Sequence, residues 1–189
     1  MWTTCMVLAL AAAAAPVEAT RPRSTLGGVR TGGVEPKNAV TLSGIVNAPN
    51  FAAGVGYERA VHRLVTVGAR FEYAIPRNGY AHLQGLTETL AVAVWVPRTF
   101  RGFFAEASLG VAQSVLAAQP LFRRVAIVPG LSAGLRWRFG KTFFVGAQVG
   151  LRWGRPVRND PAICTYAAAC PATRSGAFVR AALDLGFAF

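Results

Sequence analysis

The sequence predicts an all-β fold, an eight-stranded antiparallel up-and-down transmembrane β-barrel. Three observations carry that prediction. Apolar residues alternate with small or charged ones in eight segments, the period of two that separates the faces of a strand. Connectors are longer at one end of these segments and tighter at the other. The chain is 53% hydrophobic, yet beyond residue 19 it has no apolar run of the roughly 20 residues a membrane helix needs.

The first element is not part of the barrel. Met6 to Ala15 is a short apolar run ended by Pro16 and Glu18, with Ala19 at the last position of a cleavage site and Val17 two before it. This is signal-peptide length, too short for a membrane anchor, so residues 1–19 are expected to be removed. No Lys or Arg precedes the run, which leaves the amino terminus to supply the leading charge. Residues 20–37 are rich in Arg, Gly, Pro and Thr without periodicity, as in a flexible leader.

The barrel is then expected over 38–189, with strands at 38–46, 51–61, 64–75, 82–96, 102–116, 123–139, 142–153 and 176–189. Several reach the roughly 9–11 residues of a tilted membrane strand. Segments 47–50, 76–81, 117–122 and 154–175 form one end, and the tighter 62–63, 97–101 and 140–141 the other. In the sixth strand Val125, Ile127, Pro129, Leu131, Ala133, Leu135, Trp137 and Phe139 oppose Arg124, Ala126, Val128, Gly130, Ser132, Gly134, Arg136 and Arg138. The third, fifth, seventh and eighth strands repeat the pattern. A soluble barrel would show the same alternation turned inside out, so the chemistry of the second face decides. Water-exposed strands carry many Lys, Glu, Thr and Asn. Here Gly, Ala and Ser with isolated charges suit the narrow interior of an eight-stranded barrel, with lipid outside. Tyr73, Trp137, Phe139, Phe143, Trp153, Phe187 and Phe189 fit interfacial girdles.

Inward parity collects Glu58, Arg70, Glu72, Glu106, Arg124, Arg136, Arg138, Arg152, Arg180 and Asp184. Unpaired charges are costly in a cavity bounded by lipid, so these are expected to form crossed ion pairs that fill the lumen. Arginine suits this because its planar fork can engage two carboxylates. Six arginines against four acids leave a narrow anion-selective path as the alternative. Three residues sit awkwardly. Pro129 should interrupt the ladder unless it marks a bulge. Glu88 shares the parity of Leu86, Leu90 and Val92, which requires the loop-side interface or a bulge. Trp95 falls on inward parity near the turn end, and alternation does not account for it.

The formal charge of +12 invites a nucleic-acid reading, but the arginines are spread through strands, and an exported chain meets anionic lipid first. No nucleic-acid partner is expected. Cys5 falls in the signal segment, whereas Cys164 and Cys170 form a close pair suited to a disulfide in an oxidising compartment. No metal or other cofactor is expected, since no further Cys or His is local to that pair. His62 and His82 lie at a tight turn and a loop edge. A lipid hydrolase would need His82 paired with a Ser such as Ser175 and a carboxylate, and no spacing supports a triad.

The final segment runs Ala177, Val179, Ala181, Leu183, Leu185, Phe187 and Phe189 along one face and stops on the aromatic. With the strand count and lumen charges, it makes 38–189 resemble the small eight-stranded bacterial outer-membrane β-barrel proteins, the OmpX, OmpW and OmpA membrane-domain kind. Ala182 and Asp184 depart from that family's terminal pattern. The resemblance implies insertion by the barrel assembly machinery, with Leu183, Leu185, Phe187 and Phe189 as the recognised face. It implies a location in the outer membrane of a Gram-negative bacterium, in contact with outer-membrane lipid and lipopolysaccharide. The family hosts several activities, so the fold does not set the function. The expectation is a monomeric, non-enzymatic protein of structural or surface-interaction role, with Arg77, Arg155, Arg158 and Arg174 meeting acidic lipopolysaccharide groups. The alternatives are a porin-like narrow channel for small or apolar solutes and, behind it, a lipid-modifying enzyme.

Overall fold

The computed structural model describes residues 36–47, 50–75, 83–116, 119–159 and 176–189. The segment 1–19, most of the leader 20–37, the Cys164–Cys170 pair, His82, Ser175, Arg77 and Arg174 lie outside the described residues. Eight strands follow in order: β1 (Asn38–Asn47), β2 (Asn50–His62), β3 (Val65–Ile75), β4 (Leu83–Arg98), β5 (Arg101–Leu116), β6 (Gln119–Phe139), β7 (Phe143–Asn159) and β8 (Gly176–Ala188). Each pairs antiparallel with its neighbours in sequence, and β8 returns to β1 to close the barrel. Closure satisfies the ladder on both sides of every strand, as a sheet in hydrocarbon requires. At the seam, Lys37 and Asn38 donate to the Phe189 carbonyl at 2.9 and 2.8 Å, and Phe189 donates back to Asn38 at 2.8 Å.

Accessibility fixes which face is which. Leu131 and Leu183 are each 69% exposed, whereas Arg136 and Asp184 are 1% exposed. Aliphatic side chains thus cover the exterior and charges lie within, the inverse of a water-soluble protein. Phe139, Phe143 and Phe187 stand side by side near the turns, with ring centroids 6.2 and 5.6 Å apart. Phe51, Tyr73 and Trp153 are exposed toward the other end. The apolar belt lies between these two aromatic rims.

Strand bounds depart from the sequence expectation mainly at the loop end. β6 begins at Gln119, so the expected connector 117–122 shrinks to 117–118. β7 continues six residues beyond Trp153 to Asn159. The β7 extension is polar and the β6 extension opens on Gln119 and Pro120, so a reading keyed to apolar alternation stops short of them while the backbone ladder continues. A register shift opposes Val125 to Arg158 and Ala126 to Pro156, leaving Val157 as an extra residue in β7. Pro129 pairs with Leu109 of β5, but the β6–β7 register passes from Ile127–Arg155 to Gly130–Arg152 with Val128 and Pro129 unpaired. The proline is accommodated as a gap on its β7 side, because it has no N–H to donate. Glu88 pairs regularly with Phe71 and Val111, so no bulge redirects it. It is half-buried on the outer face, ten residues from Arg98, at the loop-side edge of a membrane-length span.

Close approach makes some inward glycines irreplaceable. A Cβ at Gly186 would collide with the Val40 carbonyl and the Phe144 ring, whereas one at Gly44, on the outer face, meets nothing within 4 Å. Gly186→Ala should therefore destabilise the barrel by about 1–3 kcal/mol, and Gly44→Ala should leave it unchanged. Urea unfolding in lipid vesicles checks the contrast, with heat-modifiable gel migration as the marker of the folded barrel.

Candidate functional site: the charged and aromatic lumen

Strand pleat turns alternate residues inward, and eight strands leave a channel little wider than the side chains it receives. The contents form three tiers from the turn end upward.

The lowest tier is aromatic. Trp95, Phe100 and Phe144 are 0% exposed and pack with Phe104, Ala39, Ala93 and Ala188. The Trp95 ring lies 4.7 Å from Phe104 and 6.0 Å from Phe100. Trp95 Nε1 donates to Thr66 Oγ1 at 3.0 Å, so the indole is buried without losing its hydrogen bond. Phe100 reaches the plug from the β4–β5 turn with φ of 59°, a conformation that costs a bulky residue energy and is held here by packing.

Arg136 joins this plug to the middle tier. Its guanidinium carbon lies 4.3 Å from the Phe144 ring centroid, 4.8 Å from Trp95 and 5.6 Å from Phe104. Aromatic faces thus replace part of the water a buried cation would lose. The same guanidinium donates two bonds to Glu58, Nη1 to Oε2 at 3.1 Å and Nη2 to Oε1 at 2.9 Å. Arg70 reaches Glu58 at 3.3 Å and forks onto Glu106 through Nη1 at 2.7 Å and Nη2 at 2.5 Å. Asp184 accepts from Ser43 at 2.7 Å and Gln148 at 3.3 Å, and lies 4.0 Å from Arg136.

In the upper tier Glu72 accepts a fork from Arg152, at 2.6 and 2.7 Å, and a third bond from Arg180 at 2.8 Å. An internal cavity between the tiers, bounded by Glu106, Ser108, Ser132, Arg152 and Arg180, measures about 10 Å³. That is room for about one water molecule.

The structure therefore brings together eight of the ten expected lumen residues: Glu58, Arg70, Glu72, Glu106, Arg136, Arg152, Arg180 and Asp184. Four arginines meet four acids, so the two tiers taken together balance in charge. The two remaining arginines lie elsewhere along β6. Arg124 is buried higher on β6, and Arg138 is half-buried near the β6–β7 turn. Leu183, Leu185, Phe187 and Phe189 are exposed along the outer face of the seam. Sequence reading missed the plug. Trp95 stood out as an anomaly, and Phe104 and Phe144 share its inward parity, a signal that three bulky aromatics at one level would have supplied.

Removing one carboxylate from this buried network strands its partners. Glu72→Gln, which leaves Arg152 and Arg180 without their shared anion, should cost about 3–5 kcal/mol. Combining it with Arg180→Met should cost less than the sum of the two single changes, because the shared interaction is counted once. Equilibrium unfolding in vesicles measures both, and additive losses would contradict a coupled cluster.

No family model and no curated protein matches the sequence. Among solved structures, the N-terminal β-barrel domain of Pseudomonas aeruginosa OprF superposes with a TM-score of 0.56 at 15% identity, covering 82% of this chain and 98% of that one. Neisserial surface protein A (NspA) gives 0.52 at 8% identity, covering 81% and 95%. Both are eight-stranded outer-membrane barrels. At such identities the likeness carries architecture alone, and this architecture is theirs: the chain has the fold of the small eight-stranded outer-membrane barrels.

Proposed function

We propose that the protein is a monomeric, non-conducting and non-enzymatic outer-membrane barrel with a structural or surface-interaction role. In this reading residues 1–19 direct export, and the outward face of β8 is the surface taken up by the barrel assembly machinery. The filled lumen carries the proposal. An aromatic plug with three fully buried rings underlies two tiers in which four arginines meet four acids, and the cavity between the tiers has room for about one water. A solute path would have to displace side chains held by forked ion pairs.

The loop end supplies the interacting surface. Arg155 and Arg158 are exposed on the outer face of the β7 extension, beyond the Trp153 rim. Arginines there, joined by Arg77 and Arg174, suit the phosphates and carboxylates of lipopolysaccharide, which their planar forks engage in pairs. A disulfide between Cys164 and Cys170 would tie the connector that bears Arg174.

Purified protein in a planar bilayer is expected to be electrically silent, and combined Trp95→Ala, Phe104→Ala and Phe144→Ala substitution to introduce conductance. Steady anion-biased unitary currents from the unaltered protein would instead establish the channel reading. Arg155→Gln with Arg158→Gln should weaken binding to lipopolysaccharide-containing vesicles roughly fivefold per residue, from about 1 kcal/mol per surface cation.

A further inference from the structure

One cation of the lumen is only partly satisfied by the ion pairs described above. Arg180 is 3% exposed and donates through Nη2 to Glu72 at 2.8 Å. Its Nε–H is buried with no hydrogen-bond partner among the described residues. A buried donor on a charged group costs free energy unless an acceptor meets it. Arg180 borders the small cavity between the middle and upper tiers, together with Glu106, Ser108, Ser132 and Arg152.

Register explains why a hollow forms at this place. Ser108 pairs with Gly130, Ser132 with Gly150, and Gly150 with Arg180, so four small inward residues of β5, β6 and β7 lie side by side next to one long one. Gly150 cannot be larger, since a Cβ there would strike the Leu131 carbonyl and the Ser132 side chain. The hollow also lies where charge changes sign. The middle tier sets Arg70 and Arg136 against Glu58, Glu106 and Asp184, and the upper tier sets Arg152 and Arg180 against Glu72 alone. A cation in the cavity would face Arg152 and Arg180, and an anion would face Glu106. A dipolar occupant suits both sides, and a volume of about 10 Å³ limits it to the size of water.

We infer that this cavity is a binding site for one water molecule, which joins the positive upper tier to the negative middle tier. The water accepts from Arg180 Nε–H and donates its two protons to the Glu106 carboxylate and the Ser108 hydroxyl oxygen. Three partners is the usual complement of a buried water. The forks described above each stay within one tier, so the water makes a single network of the two. The inference stands on lumen geometry and is independent of the surface role proposed at the loop end.

Nuclear magnetic resonance of the refolded full chain in detergent micelles tests it. The Nε–Hε resonance of Arg180, identified by its loss in Arg180→Lys, should show an Overhauser cross-peak to water with the sign of a long-lived molecule. A Cβ at Gly130 would lie 2.8 Å from Ser108 Oγ and 3.0 Å from Arg152 Cγ, both in the cavity wall. Gly130→Ala should therefore abolish the cross-peak. It should also lower oxygen-17 relaxation dispersion, which ignores exchanging hydroxyl protons, by about one water molecule. Gly146→Ala makes the same change at an inward position outside the cavity wall and should leave both readings unaltered. Heat-modifiable migration shows whether each variant is folded, and the cross-peak of the unaltered chain decides the matter if Gly130→Ala is not. Absence of that cross-peak would overturn the inference, as would equal losses in the two glycine variants. A shift of the Arg180 Hε resonance when chloride replaces sulfate in the buffer would also overturn it, by assigning the cavity to a small anion.

Discussion

The hydrogen-bonding demand of a backbone in hydrocarbon underlies the rest of the structure. With no water to satisfy N–H and C=O groups, the sheet has to close on itself. Eight strands close at a radius that admits side chains and almost nothing else. Whatever points inward must then fill space and balance charge. The forks of Arg70, Arg136 and Arg152 onto Glu106, Glu58 and Glu72 meet both needs, because a guanidinium spans the lumen and engages both oxygens of a carboxylate from another strand. Such pairs arise because desolvating a lone charge costs far more than desolvating a matched one.

Arg136 shows how the tiers depend on each other. Its cation rests on three aromatic faces below and a carboxylate above. The plug therefore does two things, closing the turn end of the lumen and compensating a charge that the Glu58 contact alone would leave partly desolvated. Phe100, drawn into the plug in a strained turn conformation, ties the β4–β5 connection to the same cluster. The two ends of the molecule differ in kind: rings and basic turns at one, the lengthened β6 and β7 strands at the other.

Much of this was legible in the sequence, and what was not has identifiable physical causes. All eight strands and their inward faces follow from a period of two, since pleat dictates parity regardless of partners. Arg136 and Glu58 could be placed in the lumen on that basis. Their pairing could not, because β2 and β6 stand on different sides of the sheet order and meet only across the barrel. Trp95 read as misplaced while large aromatics were assigned only to outward girdles. An indole that keeps its hydrogen bond to Thr66 is instead at home inside. Beyond Trp153 polarity ended the apolar signal before the ladder ended, and Gln119 with Pro120 obscured the start of β6, so both strands run longer than the alternation suggests. The cavity between the tiers depends on side-chain size across four strands, a relation visible only once register aligns them.

Single-tryptophan variants in vesicles of brominated phospholipid test most directly whether hydrocarbon bathes the aliphatic face while the lumen stays sealed. Trp137 is 51% exposed on the outer face near the turn-end rim, and Trp95 is 0% exposed within the plug. Fluorescence from a chain retaining Trp137 alone should be strongly quenched by the brominated chains, and that from one retaining Trp95 alone should not. Quenching of Trp95 with Trp137 unaffected would mean that the sheet faces the other way.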